Sequence, residues 1–369
     1  MRQRLEYAAA RLLAALPSSV QVRLSGRPPV ELDGDTLQPE TQLTLALLER
    51  RGEVEVAQLT PAQARADRLR LSQVYAGRPT PVASVSDLTL ETSPPIRARL
   101  YRSEETVQPP PLLVYYHGGG FTFGDLDTHD GLCRLICRHS GAHVLAVDYR
   151  LAPEHRFPAA IEDAHAAFRW ALTNAERIGA DPRRVGVGGD SAGGNLAAVV
   201  SQLAAREPGR APALQLLIYP VTDFSARRRS RELFGEGFLL TESEMSWFEG
   251  NYFGDDRAAA RDPRASPMLA RDLSGLAPAI VVTAAFDPLR DEGEEYARAL
   301  QEAGNAVALR RFAGFIHAFT GAIGVSRDAH DAVVEIAGAV RGLFALRPLA
   351  EPDPAAVTVS RIDREAARA

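Results

Sequence analysis

The hydrophobic and polar positions along this chain change period twice. Up to about residue 75 the apolar residues recur at helical spacing. Helices are predicted over about 3–16, about 38–51 and about 61–75, the last after Thr60-Pro61, with a Pro/Gly-rich stretch from Pro17 to Gly34 between the first two. From about Val82 the period falls to two, and Val82–Glu91 and Ile96–Arg102 read as strands of a hairpin or meander. Beyond them short apolar runs alternate with helical segments. The predicted strands are Leu112–Tyr116, His143–Asp148, Val185–Gly188, Leu214–Tyr219, Ile280–Ala284 and Ala306–Phe312. The predicted helices are Gly131–His139, Ala159–Asn174, Ala192–Ala205, Glu292–Ala303 and Asp328–Phe344. This βαβα order implies an α/β fold with a mostly parallel central sheet and helices on both faces.

One segment breaks the alternation. From Asp223 to about Leu276 there is no strand signal, only helix-like pieces carrying aromatic residues. A connection of that length is too long for a plain crossover and reads as an insertion at the carboxyl edge of the sheet, where ligands bind in open α/β folds. The predicted organisation is an N-terminal helical segment (1–80), a core built from 81–222 and 277–347, an insertion (223–276), and a polar tail (348–369) containing Pro352 and Pro354 that reads as disordered. No internal repeat is evident.

Composition then removes whole classes of chemistry. The 369 residues suit one large α/β domain with additions, or two smaller domains. All 42 basic residues are arginine and none is lysine. Schiff-base and pyridoxal chemistry, a P-loop lysine, a kinase strand lysine and a Ser-Lys hydrolase are thereby excluded. The net charge of −5 argues against a nucleic-acid partner. The one basic cluster, Arg227-Arg228-Arg229 with Arg231, reads as a solvated face. Cys133 and Cys137, four apart in an apolar helical stretch, read as buried thiols, too few for a metal site.

The N-terminus carries Arg2 and Arg4, but its apolar run is only Leu12 to Leu16, short of the roughly 7–15 residues of a signal sequence. Leu5, Ala9, Leu12, Leu13 and Leu16 instead share one helical face. No run approaches the roughly 18–20 apolar residues of a membrane span. The expectation is a soluble cytoplasmic protein with no membrane span.

The strongest chemical signal is Gly189-Asp190-Ser191-Ala192-Gly193, a G-x-S-x-G between a predicted strand and an Ala/Leu-rich helix. A sharp strand-to-helix turn strains the serine backbone and exposes its oxygen at the sheet edge, and the glycines flank it because no side chain fits. The competing reading is a Gly-rich phosphate turn. Gly186-Val187-Gly188-Gly189-Asp190-Ser191 begins like a dinucleotide fingerprint, but serine stands at its third glycine position. His117-Gly118-Gly119-Gly120, directly after the strand Leu112–Tyr116, favours the nucleophile. Consecutive glycines let backbone amides turn toward an oxyanion, with Gly118, Gly119 and Ala192 as the candidate donors.

With lysine absent, the base for Ser191 is sought among the eight histidines. The chain order of such hydrolases places acid and histidine after the serine, which leaves His317 and His330. His317 follows a predicted strand in the loop Gly314-Phe315-Ile316-His317, whereas His330 falls in a helix start. The candidate acid is Asp287, held on a loop before Pro288. Asp291, Glu292, Glu294 and Glu295 instead suit the first turns of the following helix, where acids complement the dipole.

The chain resembles the hormone-sensitive-lipase family (bacterial family IV) of α/β-hydrolase carboxylesterases. The resemblance rests on Tyr116-His117-Gly118-Gly119-Gly120-Phe121, Asp148 to Glu154, Gly189 to Asn195, Phe286 to Glu292 and Ile316-His317-Ala318-Phe319, spanning roughly Pro111 to Phe344. It implies an α/β-hydrolase fold whose helical cap is drawn from the N-terminal helices and from the insertion after the sixth core strand. It further implies that His117 shapes the glycine loop and is not the base. Two features depart from the family: a long N-terminal region, and Ala318 where glycine is common.

The expected function is carboxylesterase action on short- to medium-chain acyl esters through an acyl-enzyme on Ser191, with His317 and Asp287, and with no cofactor and no metal. Phe121, Phe123, Phe238, Leu239, Trp247 and Phe248 are candidates for an apolar pocket lining. The alternatives are amidase, lactonase, deacetylase or acyltransferase chemistry on the same residues, or a non-catalytic receptor, which would usually lack the histidine. The expected partner is a small-molecule ester, with a homodimer as the open alternative to a monomer.

Overall fold

The computed structural model describes residues 2–52, 55–104, 109–208 and 211–346. The tail 348–369, for which disorder was expected, lies outside them. The chain begins with α1 (Arg2–Ala14), α2 (Ser18–Ser25), a short hairpin of β1 (Glu31–Leu32) and β2 (Asp35–Thr36), α3 (Pro39–Arg51) and α4 (Pro61–Tyr75). Helix α2 and the hairpin occupy the stretch whose pattern predicted only a Pro/Gly-rich connection. Two-residue strands are too short to show alternation. Their turn is nonetheless written in Asp33-Gly34, both left-handed at φ 54 and 85, the dipeptide that tight hairpins favour. The shared apolar face of α1 is only partly used, since Leu5 and Leu12 are exposed.

Helices α2 and α3 are joined by one buried amide. Gln42 Nε2 donates to Ser25 Oγ at 2.8 Å and to the Pro28 carbonyl at 3.0 Å, while its Oε1 accepts from the Val30 amide at 3.1 Å. Helix α4 is fixed to the rest of the molecule by Arg65. Its guanidinium donates to the carbonyls of Thr122 and Ala152 at 2.8 Å each, and to both Glu154 oxygens. That bidentate pairing holds the Glu154 carboxyl down at about 2.

The remainder builds one eight-stranded sheet. In chain order come β3 (Ser84–Leu90), β4 (Ile96–Arg102), β5 (Leu112–Tyr116), α5 (Asp130–Ser140), β6 (His143–Asp148), α6 (Ala159–Asn174), β7 (Val185–Asp190), α7 (Ala192–Ala205) and β8 (Gln215–Ile218). An insertion with α8 (Arg229–Phe234) and α9 (Glu242–Phe253) follows, then β9 (Ala279–Phe286), α10 (Arg290–Glu302), β10 (Val307–Ile316) and α11 (Arg327–Leu346). Across the sheet the order is β10-β9-β8-β7-β5-β6-β4-β3. Strands β5 to β10 pair in parallel, and β4 and β3 extend the edge antiparallel. The mostly parallel α/β sheet read from the sequence is what forms.

Strand periodicity divides the core between two faces. Leu112, Val114, Val185, Val187, Leu217 and Val281 face α6, α7 and α10, while Leu113, Tyr115, Leu216, Ile218, Ile280 and Val282 face α5 and α11. Both cysteines of α5 are free and buried in the second face. The Arg227–Arg231 cluster does more than face solvent. Arg228 pairs with Asp223 at 2.8 Å, Arg231 with Glu242 at 2.7 Å, and Arg229 with Asp33 of the N-terminal hairpin at 2.5 Å. Among the described helices none is long and apolar enough to cross a membrane.

Leu217 is fully buried at the centre of β8. Leu217→Ala is expected to lower the unfolding free energy by about 2–5 kcal/mol, measured as a fall in the urea midpoint at unchanged slope.

Candidate active site

The sheet places the site. From β5 the chain crosses to β6 on one side, and after β6 it returns to β7 on the other, so β5 and β7 flank the point where the winding reverses. Crevices of open α/β sheets lie at such points, beyond the carboxyl ends of the strands. The glycine loop leaves β5 there and Ser191 leaves β7.

The β7–α7 turn is as tight as the motif predicts. Ser191 has φ 53 and ψ −118, a region that non-glycine residues avoid. A Cβ on Gly193 would fall on the Tyr116 carbonyl, and one on Gly189 on the backbone of Gly193 and Tyr116. Strand β5, strand β7 and helix α7 thus meet backbone to backbone. The Ser191 amide donates to the Ile218 carbonyl at 2.8 Å, and its oxygen stands over the end of the sheet at the N-terminus of α7.

Strands β9 and β10 bring the partners. Asp287 directly follows β9 and His317 directly follows β10. Both strands outrun their apolar patterns, β9 to Phe286 and β10 to Ile316. In β10 the pairing slips between Phe312 and Ile316, around Gly314 at φ 76, which hides the strand end from periodicity. His317 Nε2 lies 3.0 Å from Ser191 Oγ, and His317 Nδ1 lies 2.7 Å from Asp287 Oδ2. Asp287 is fully buried and its Oδ1 accepts the Leu289 amide at 2.8 Å. Because the carboxylate is an acceptor, Nδ1 carries the imidazole proton and Nε2 presents a lone pair to the hydroxyl. Tyr219 packs beside the ring at 4.7 Å between centroids. Ala318 sits at φ 60, so the position where glycine is common is a left-handed one. His330 lies on α11 beside Asp331, apart from this group.

The glycine loop differs in one particular from expectation. The Gly118 amide does not face the site: it is shared between Asp190 Oδ1 at 3.1 Å and His129 Nε2 at 3.3 Å. The Gly118 carbonyl accepts from His117 Nδ1 at 2.9 Å. In the trans peptide that follows, the Gly119 N–H points opposite to that carbonyl, and no hydrogen bond engages it among the described residues. The site amides are therefore those of Gly119 and Ala192, without Gly118. His117 is buried, stacked on Tyr149, and burial lowers its pKa to about 4, so it stays neutral.

Ser191 opens into a cavity of about 420 Å³, of a size that takes small ligands. Its walls come from α3, α4 and α9 as well as from the sheet edge, including Leu48, Leu71 and Met245. Phe121, Phe123, Leu239 and Phe248 line it. Phe238 and Trp247 do not. Phe238 packs on Phe234 and Phe286 in an apolar cluster with residues of the N-terminal hairpin, and Trp247 meets Phe248 edge-on, with 5.3 Å between ring centroids. A residue type and a helical pattern name aromatics on the insertion, but not which face of α9 looks inward. Arg68 on α4 was not anticipated. Its guanidinium lies 5.3 Å from the Phe123 ring and 3.9 Å from Glu244, whose carboxyl burial pushes up and Arg68 pulls down.

Glu292 also departs from its expected helix-end role. It is buried, and its Oε1 accepts the Thr222 amide at 2.7 Å and the Asp223 amide at 3.3 Å, tying α10 to the loop after β8. Among the described residues no cluster suited to a metal ion occurs.

The chain belongs to a family defined by this architecture: residues 113–321 match the alpha/beta hydrolase fold family. Among known proteins it is 48% identical over 318 residues to the carboxylic ester hydrolase LipN of Mycobacterium tuberculosis, covering 84% of each. It is 40% identical over 275 residues to the ethyl acetate hydrolase of Pseudomonas putida, covering 73% of this chain and 86% of that protein. A solved ester hydrolase from the metagenome of Lake Arreo superposes with a TM-score of 0.81 at 42% identity, over 84% of this chain and 99% of that one. The esterase of the archaeon Pyrobaculum calidifontis gives 0.78 at 39% identity, over 83% and 98%.

Two outcomes follow from this geometry. Gly193→Ala is expected to yield little folded protein, read as loss of soluble product and of the thermal transition, because the clash is with backbone. Burial pushes the Glu292 carboxyl up to about 8 from 4.5. Between those values the folded chain holds a proton that the unfolded chain has released, so stability falls as pH rises through that window. Glu292→Gln keeps the acceptor and removes the titration. The fall in melting temperature from pH 5 to pH 8 is expected to be shallower in the variant than in wild type.

Proposed function

We propose that this chain hydrolyses carboxylic esters of short to medium acyl length through an acyl-enzyme on Ser191. One observation carries the reading: a strained serine, open to the cavity, with its oxygen 3.0 Å from an imidazole whose far nitrogen is 2.7 Å from a buried carboxylate. Ser191 Oγ attacks the ester carbonyl and His317 Nε2 takes its proton. Negative charge gathers on the former carbonyl oxygen beside the Gly119 and Ala192 amides and the N-terminus of α7. Asp287 holds the tautomer and offsets the charge of the imidazolium. As the tetrahedral species collapses, His317 gives its proton to the departing alcohol. Water, deprotonated by the same nitrogen, then releases the acid and restores Ser191.

The N-terminal helices (1–80) and the insertion (223–276) act as the cap over this site. Their contribution to the cavity wall supports that reading, as does the Arg65 anchor. A walled cavity of about 420 Å³ favours acyl chains well below triglyceride length. The glycine loop and the nucleophile turn support assigning the chain to the hormone-sensitive-lipase family (bacterial family IV), with Asp190 marking one of its two subgroups. Names of the relatives, an ethyl acetate hydrolase among them, agree with small ester substrates.

Ser191→Ala is expected to lower kcat toward p-nitrophenyl acetate or butyrate by about 10⁴-fold or more with the melting temperature preserved. In wild type, kcat/KM across the p-nitrophenyl series is expected to peak between acetate and octanoate and to be at least about tenfold lower for palmitate. Matched amides and lactones run in parallel decide between ester hydrolysis and its neighbours: faster turnover of either overturns the assignment, as does an active Ser191→Ala.

A further inference from the structure

The Gly118 amide that turns away from the site leads to a second group of polar side chains behind it. Asp190 is buried at the end of β7, next to Ser191. Its Oδ1 accepts the Tyr115 hydroxyl at 2.8 Å and the Gly118 amide at 3.1 Å, and lies 3.4 Å from His129 Nε2. His129 is itself oriented, because its Nδ1 lies 3.0 Å from Thr128 Oγ1, whose own proton goes to the Asp125 carbonyl. Burial works against a charged Asp190, yet its carboxyl is held below the ordinary range, with His129 and the Tyr115 hydroxyl supplying the opposing pull. A Cβ at Gly118 would fall on the Asp190 carboxylate. The loop and the carboxylate therefore touch with no room to slide.

We propose that Asp190 is a positioning residue that locks the glycine loop to the nucleophile turn, so that the amides of Gly119 and Ala192 converge on one oxygen. The two amides sit on separate segments of the chain. Ala192 is carried by α7 and fixed by the turn at Ser191. Gly119 is carried by a loop from β5, and backbone pairing between β5 and β7 ends at Tyr116 and Gly189, short of it. Beyond that last pair no backbone hydrogen bond joins the two segments among the described residues, and side chains span the gap. Asp190 is covalently part of the turn and hydrogen-bonded to the loop. With the Gly118 amide held by Asp190, the nearer acceptor, and by His129, and the Gly118 carbonyl held by His117, both sides of that residue are fixed, and the direction of the Gly119 N–H follows. Asp190 borders the cavity, but its carboxylate hydrogen-bonds to Tyr115 and Gly118 and not to Ser191 Oγ; it acts through the loop.

The inference rests on the ester-hydrolase reading of Ser191 and is tested so that the two fail separately. Wild type, Asp190→Ala and Asp190→Asn are each assayed on p-nitrophenyl butyrate and with a p-nitrophenyl phosphonate, which forms a tetrahedral adduct on an active serine. Loss of one oxyanion donor lowers rate by about 10²–10³-fold. Asp190→Ala is expected to lose that much in kcat and in the rate of phosphonylation, with KM changed by less than about threefold. Asp190→Asn retains the acceptor for Gly118 and is expected to recover both rates to within about tenfold of wild type. Should Asp190→Ala fail to fold, Tyr115→Phe, which loosens Asp190 by one bond, is expected to lower both rates about 3- to 10-fold at unchanged KM. The inference is overturned if Asp190→Ala reacts with phosphonate as fast as wild type, if its whole defect lies in KM, or if Asp190→Asn is as slow as Asp190→Ala. With Asp190→Ala unfolded, unchanged rates in Tyr115→Phe, or Asp190→Asn more than about 10²-fold slow, overturn it. Absence of a phosphonate adduct on Ser191 in wild type would instead remove the reading beneath it.

Discussion

The structure depends on the close approach of three backbone segments at Ser191. Tyr116 ends β5, Gly189 lies near the end of β7, and Gly193 opens α7, and a Cβ on either glycine would fall on the backbone of its neighbours. Serine accepts a backbone conformation of φ 53 there because sheet pairing on one side and helix packing on the other leave it no alternative. The same contact fixes where α7 begins, and hence where its unpaired amides point. It also sets the distance from β7 to β9 and β10, whose ends deliver Asp287 and His317. Ser191, Asp287 and His317 thus follow three strands of one sheet, and the glycine loop is tied in by side chains.

Much of this was legible in the sequence. Long periodic elements such as Ala159–Asn174, Ala192–Ala205 and Leu112–Tyr116 form with the bounds their patterns give. A parallel strand buried on both faces is a continuous apolar run, and nothing competes with that reading. Ser191, Asp287 and His317 were legible for a related reason: each stands within a few residues after a strand read from the sequence, at the sheet edge. The order of serine, acid and histidine along the chain then restricted the choice. Strand ends were less clear. Gly314 bulges β10 and interrupts the pattern just where the strand approaches His317.

What stayed hidden shares a cause. Asp190, Tyr115 and His129 meet behind the glycine loop although they are far apart in sequence, and no spacing rule brings them together. Gly118 reads as an oxyanion donor because a run of glycines frees every amide. Only the position of the Asp190 carboxylate shows that one of those amides faces the other way. Glu292 looked like a helix-end acid because its place in α10 is such a place. Burial against the loop after β8 gives it another role. In each case the deciding quantity is which buried polar atom lacks water and must find a partner within the protein. That quantity belongs to the packed fold and to no single segment.

The absence of lysine, an exclusion rule at the level of sequence, becomes structural at the level of contacts. The N-terminal region is held to α8, α10 and the glycine loop by guanidinium groups. Asp33 of the hairpin accepts from both Arg229 and the buried Arg290, and Arg65 of α4 meets two carbonyls and one carboxylate at once. A guanidinium offers five donors in a fixed plane, whereas an ammonium is a single point on a flexible stem. The Arg65 contact needs that plane, since its acceptors lie on the glycine loop at Thr122 and on the segment Ala152–Glu154. Helix α4 is therefore attached to the same loop that Asp190 holds from below. Arg65 on α4, which contributes to the cavity wall, and Asp190 beside Ser191 thus hold two ends of one short stretch, Gly118 to Thr122.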